Sequence, residues 1–223
     1  MNDKTAFFKH VKPWLPNLKS YITARLKRAE RNGLIPKNMY VASDISDEIL
    51  VHIYEKENDI IHDEKKVKAR AFALAAKKMD ELIKREKDIH KKEIPLGQIL
   101  DNELRFMNEA FTTDADGDLM PVEELDDISY HLEDYKPHIF LASDDTRREI
   151  YRTLGIAEEE KPEDKAASID RFLQKLPEES QNIFELRSYG LLSTEEIAEV
   201  LSLEKEKVET VLFSIQKAYK RFG

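Results

Sequence analysis

The chain has 223 residues, carries 36 Lys plus Arg against 45 Asp plus Glu for a net charge of −9, and contains no cysteine and only six glycines. Those values exclude disulfide frameworks and thiolate metal sites, argue against a sheet-rich fold, and set a length for one to two domains. No apolar run approaches the roughly twenty residues of a membrane span, and Met1-Asn2-Asp3-Lys4 lacks the basic and apolar parts of a signal peptide, so a cytoplasmic location without membrane contact is expected. The charge is uneven: residues 1–92 hold 21 basic and 14 acidic side chains, a net +7, which leaves −16 for the remainder. A basic amino-terminal third suits contact with a phosphate backbone, and a solvated surface accounts for it equally.

Phe7 to Arg31 reads as helix interrupted near Pro13 and Pro16, with Trp14, Leu15, Leu18, Tyr21, Ile22 and Leu26 on one side and Asn32-Gly33 as its end. Its basic run, Arg25, Lys27, Arg28 and Arg31, fits either a solvated face or a nucleic-acid contact. The next helical block, Asp63–Lys92, surrounds an alanine-rich centre with Lys65, Lys66, Lys68, Arg70, Phe72, Lys77 and Lys78.

From Glu93 to Ala167 about seventy residues carry apolar side chains such as Ile99, Leu104, Phe106 and Phe140, while Phe106–Tyr135 holds no Lys or Arg. Within it, Thr112 to Glu123 places oxygens, a glycine and a final Glu as an EF-hand calcium loop does. Thr112 stands at the first ligand position in place of Asp, Pro121 precedes the expected exiting helix, and no second loop pairs with it, so no metal or cofactor is assigned. The histidines at 10, 52, 62, 90, 131 and 138 show no ligand spacing.

The last segment, Ser168 to Phe222, parses most sharply. Pro177 with Glu178 and Glu179 opens a helix that Gly190 ends, and Ser193-Thr194-Glu195-Glu196 matches a capping box ahead of Ile197, Val200 and Leu201. After a turn at Ser202-Leu203 a longer helix runs to Phe222, with Val208, Val211, Ile215, Ala218 and Phe222 as its expected buried stripe. Two helices joined by a short turn, the second basic at its end, form a helix-turn-helix, the geometry that lays a helix into a DNA groove. Phe213 falls with Glu209, Gln216 and Lys220 on the face opposite the stripe.

Leu176 to Phe222 resembles region 4 of sigma-70 type RNA polymerase sigma factors, especially the extracytoplasmic-function (sigma-E-like) type. The shared pattern is Leu-Pro-Glu at 176–178, a branched-chain and aromatic run, Ser193-x-Glu195-Glu196-Ile197-Ala198, then Thr210-Val211 and a basic helix end. Val41 to Glu55 resembles the region 2 helix of the same family. The resemblance spans roughly residues 8–87 and 168–222. It implies an all-α chain of two helical domains, 1–92 and 168–223, joined by a long, acidic, partly helical linker over 93–167.

By that resemblance Asp44, Asp47 and Glu48 supply polar contacts to the coiled coil of the largest subunit of core RNA polymerase, Ile45 and Ile49 supply packing, Tyr54 is the recurring aromatic, and the carboxy-terminal domain meets the polymerase flap region. Lys68, Arg70, Phe72, Lys77 and Lys78 correspond by position to the part that captures an unpaired base of promoter DNA, which needs an aromatic pocket and backbone cations. Arg70 stands where the family has Trp, and Phe72 also reads as core. The acidic linker is either a nucleic-acid mimic in the polymerase cleft or a partly disordered connector.

Lys217, Lys220 and Arg221 are the expected promoter contacts of the last helix. After Thr210-Val211, however, the family's Lys-Ser-Arg is replaced by Leu212-Phe213-Ser214. Leucine and phenylalanine cannot make the bidentate bonds worth about 1–3 kcal/mol of base discrimination each. Leu212 and Phe213 are therefore candidate anchors for a docked protein, such as an activator or an RNA-guided effector; the alternatives are that Leu212 belongs to the core and that Phe213 touches a thymine methyl or packs on the neighbouring domain. A sigma factor directing initiation at a subset of promoters, subject to an anti-sigma factor, is the first reading. A helix-turn-helix regulator or a polymerase-sequestering protein is the alternative, and the absence of phosphate loops or nucleophile–base pairs speaks against an enzyme.

Overall fold

Pro13 and Pro16 set the first helical boundary, because proline lacks the N–H that a continuing helix would use and is tolerated in a first turn. The structure, a computed structural model, describes residues 3–57, 59–90, 143–156 and 162–222. Helix α1 (Asp3–Val11) stops before Pro13, and α2 (Leu15–Arg31) begins with Pro16 in its first turn. Gly33, at φ +65°, lies just past the end of α2. Helices α3 (Ala42–Lys56) and α4 (Glu64–His90) complete the amino-terminal set. Asp63 starts α4 by accepting the backbone N–H groups of Lys65 and Lys66 at 3.1 and 3.2 Å, which satisfies two of the donors a helix start leaves open.

The carboxy-terminal set comprises α5 (Asp144–Leu154), α6 (Pro162–Gln174), α7 (Glu178–Ser188), α8 (Thr194–Leu201) and α9 (Lys205–Phe222). Among the described residues every regular element is a helix, in line with the all-α expectation. The capping box forms as its spacing requires: Ser193 Oγ accepts from Glu196 N at 3.2 Å, and Glu196 Oε2 accepts from Ser193 N at 2.8 Å. Ser202 closes α8 in the left-handed region, φ +53°, and the turn delivers the chain into α9.

Helix α5 lies in the stretch expected to be linker. Ser143 caps it, Gly155 ends it at φ +69°, and Ile150 and Leu154, four residues apart, are fully buried against α7 and α9. Its signals, a Ser-Asp-Asp start and a glycine stop around an i,i+4 apolar pair, are present in the sequence but short beside the acidic run before them. The buried stripe of α9 also differs from the expected one. Val208, Ile215 and Tyr219 are buried, Val211 and Leu212 are half-buried, and Ala218 and Phe222 are exposed. Tyr219 takes the inward place next to Ala218 because its ring meets Phe172 edge-on at 5.2 Å.

Residues 1–87 and 137–223 cluster as one compact unit and 88–136 as another. Within the first unit, buried apolar side chains from Phe7 to Ile83 and from Ile150 to Tyr219 join in one core. The seam lies where α2 crosses α7 and where Phe72 of α4 meets the turn after α7.

Candidate nucleic-acid and polymerase interface

The exposed edge of α3 carries the predicted polymerase contacts. Asp44, Asp47 and Glu48 are exposed; Asp47 lies 3.9 Å from Lys19 Nζ, and Glu48 pairs with Lys78 of α4. Ile45 and Ile49 are buried in the chain's own core, so the packing they supply here is intramolecular. Tyr54 is half-buried with its ring 5.4 Å from Phe7. A cleft of about 520 Å³ opens beside this edge, lined by Met39, Val41, Asp44, Glu48, Lys78 and Arg85 among others, and Met39 and Val41 are exposed.

The predicted promoter contacts of α4 are mostly engaged within the chain. Phe72 is 0% exposed, with its ring 5.8 Å from Tyr21 and 6.4 Å from Trp14. It is packed as core and does not offer an open base pocket. Gly190 shows how close the packing is: a Cβ there would lie 3.0 Å from Phe72 Cε1 and 2.6 Å from the Leu186 carbonyl oxygen, so a side chain has no room.

Lys68 Nζ bonds Glu196 Oε1 at 2.6 Å, and Arg70 holds Glu57 in a two-pronged contact at 2.7–2.9 Å. The hydrogen bond from Arg70 keeps the Glu57 carboxyl below its ordinary range. For Glu196, burial works to raise the pKa, and Lys68 with the Ser193 N–H outweighs it, leaving the group lowered. Lys77 lies 3.7 Å from Glu81.

On α9 the predicted contacts Lys217, Lys220 and Arg221 are exposed. The amino-terminal half of that helix is different. Lys205 is tied to Glu195 at 2.6 Å and Lys207 to Glu179 at 2.5 Å, while Glu206 and Glu209 are exposed. The Lys205 hydrogen bond pulls the Glu195 pKa down to about 2. Cations already answered by carboxylates have less to offer phosphate. Phe213 is 64% exposed and borders a shallow cleft of about 280 Å³ between α5, α7 and α9, with Arg152, Arg187 and Gln216 around it; Leu212 lines it from the half-buried side.

Sequence reasoning did not anticipate what happens to the basic run of α2. Arg25 is 1% exposed, and its Nη atoms reach Tyr21 Oη at 3.2 Å, Asn182 Oδ1 at 3.1 Å and Asp80 Oδ1 at 2.7 Å. Tyr21 Oη donates to Asn182 Oδ1 at 2.7 Å. Arg28 Nη1 donates to Gln181 Oε1 at 2.7 Å and its Nη2 lies 3.4 Å from Glu185 Oε2; Arg31 pairs with Asp170. Neither a solvated face nor a nucleic-acid contact describes these arginines as placed. Burial pushes the Tyr21 hydroxyl up to about 12, so it stays a donor, and burial likewise raises the Glu185 carboxyl despite Arg28 and Arg25 nearby.

Helices α8 and α9 form a helix-turn-helix packed on α7, with Phe172 of α6 against Tyr219 of α9. The family model described as Sigma-70, region 4 matches residues 166–213. This segment is similar to sigma-70 region 4. No curated protein and no solved structure matches the chain. The region 4 segment thus takes in most of α6, all of α7 and α8, and the first half of α9, while α5 lies outside the match and packs against it.

Among the described residues no helix is long and apolar enough to cross a membrane, and no group of three or more acidic or histidine side chains is placed to hold a metal ion. The calcium-like loop at 112–123 and the acidic stretch at 93–142 lie outside the described residues.

Proposed function

We propose that the chain is a sigma factor: it binds core RNA polymerase and directs transcription initiation at a subset of promoters. The observation that carries this reading is the match of residues 166–213 to sigma-70 region 4, on helices whose capping box and turn are formed. Supporting it at the other end, α3 leaves Asp44, Asp47 and Glu48 exposed beside an apolar-rimmed cleft, which suits a charged and grooved protein partner such as the polymerase coiled coil. In this reading residues 1–92 act as the region 2-like domain, 93–167 as the connector, and the flap contacts 168–223. The protein works in the cytoplasm, where an anti-sigma factor can oppose it, and it is not an enzyme.

The region 4 segment takes promoter DNA with Lys217, Lys220 and Arg221, and it presents Phe213 and Leu212 to a recruiting protein. The exposed phenylalanine and the paired lysines favour docking over autonomous base readout, since a bare aromatic at 64% exposure is more useful in an interface than in water. Mixing the purified chain with core polymerase, followed by run-off transcription, tests the proposal. Copurification with core and promoter-dependent transcripts are expected. Binding to DNA without affinity for core would instead identify a helix-turn-helix regulator, and core binding without transcripts a sequestering protein.

A further inference from the structure

The outward side of α9 carries a stripe whose charges are sorted along the helix. Glu206, Glu209, Phe213, Lys217 and Lys220 are all exposed, and steps of three, four, four and three residues keep them on one helical face. The acids lie before Phe213 and the lysines after it. Glu209 and Lys217 each stand four residues from the ring, and Glu206 and Lys220 each stand seven. A stripe ordered in this way is complementary to its own reverse. If a second copy lies antiparallel across a two-fold axis at Phe213, Glu206 falls opposite Lys220 and Glu209 opposite Lys217, and the symmetry repeats both pairs.

Two further observations favour a second copy as the occupant of this face. The lysines in the amino-terminal half of α9 do not cancel its acids, because Lys205 is held by Glu195 at 2.6 Å and Lys207 by Glu179 at 2.5 Å, each on another helix. Lys205 also lies 3.6 Å from Glu209, an exposed contact that leaves the carboxylate open to a second cation. The other observation concerns the ring. Phe213, at 64%, is the most exposed large apolar side chain among the described residues. Beside it lies the cleft of about 280 Å³, with Leu212 on its apolar side and the guanidinium groups of Arg152 and Arg187 on the other. An aromatic face held against guanidinium is a favourable contact, so the cleft suits the ring of the opposing copy.

We propose that α9 is the interface of a homodimer in which two copies pair through antiparallel α9 helices. The two Phe213 rings lie side by side at the axis, each against the other copy's cleft, and the Glu206–Lys220 and Glu209–Lys217 pairs flank them. One helix face per copy is a contact at the small end of specific interfaces, so the dissociation constant is on the order of 10 μM at low salt and rises as salt screens the pairs. Lys217 and Lys220 are also the promoter contacts proposed above, and Phe213 the anchor for a recruiting protein. A paired chain therefore withholds this helix from both, although the pairing itself rests on neither reading.

Sedimentation equilibrium of the full 26.0 kDa chain tests the proposal. Between about 1 and 200 μM at low salt the parent should pass from monomer to dimer, and Phe213→Ser should weaken the dimer about tenfold or more. Two charge reversals supply the decisive arm. Glu206→Lys with Glu209→Lys makes the stripe wholly basic, and Lys217→Glu with Lys220→Glu makes it wholly acidic, so each variant alone should stay monomeric. Mixed in equal amounts, the two should form a dimer of one copy each, because every reversed charge then meets its opposite. That rescue also shows that both variants are folded. A parent that remains monomeric over this range overturns the proposal and leaves Phe213 to a different protein. So do reversed variants that dimerise like the parent, and a mixture that stays monomeric. The measurement contains neither polymerase nor DNA, so its failure leaves the sigma-factor reading intact, and a failed run-off leaves the dimer intact.

Discussion

Phe72 and Phe213 show how one residue type is given opposite tasks by its surroundings. Phe72 has rings on two sides and a glycine turn on a third, so Phe72→Ala should lower unfolding free energy by about 3–5 kcal/mol in urea. Phe213 faces solvent, and Phe213→Ser should change stability by no more than about 0.5 kcal/mol. A large loss from the second variant would mean that the ring is packed and the docking role is wrong. Titration separates two glutamates in the same way.

The depressed Glu195 carboxyl contributes stability above its ordinary pKa of 4.5 and loses it as the pH falls toward about 2. For Glu185 the sign reverses: its raised pKa means the contribution is complete below 4.5 and is lost as the pH rises through the folded-state value. Side-chain carboxyl resonances followed by NMR should place the Glu195 midpoint near 2 and that of Glu185 above 4.5. Coincident midpoints would contradict both environments.

At the scale of elements, short local signals and long-range packing divide the work. The capping box supplies two bonds to the start of α8, and Ser193→Ala should cost about 1 kcal/mol, read from a shift in the denaturation midpoint at unchanged slope. Helix α5 provides a sharper test because its whole value is tertiary. Ile150 is fully buried against the region 4 segment, and Ile150→Ala should cost about 2–5 kcal/mol; a tether lying free of the fold would register nothing. By covering one flank of α7 and α9, α5 also forms the wall of the cleft beside Phe213, so that cleft belongs partly to a helix outside the family match.

For the molecule as a whole, the proposed function ties each end to a partner through its charge, and that tie can be tested. Reversing two acids on the exposed edge of α3, Asp47→Lys with Glu48→Lys, should abolish copurification with core polymerase and leave far-UV helix content intact. Retained binding would remove α3 from the interface. The reversal also breaks the Glu48–Lys78 pair, but exposed pairs contribute only about 0–1 kcal/mol, so loss of binding could not be assigned to unfolding.

What the sequence determined on its own was local: the helices outside residues 93–167, their ends at Pro13, Gly33, Gly190 and the Ser193 box, and the likeness of the last fifty or so residues to region 4. These follow from backbone and capping chemistry within a few residues, which pattern reading captures. The fate of Arg25, Arg28, Arg31, Lys68 and Phe72 was decided by tertiary structure. A run of arginines reads the same whether water, phosphate or protein oxygens lie opposite, and here those oxygens come from Asp170, Gln181, Asn182 and Glu185, well over a hundred residues away in the chain. Only folding brings them within hydrogen-bond reach, and with them the basic run becomes part of a buried seam.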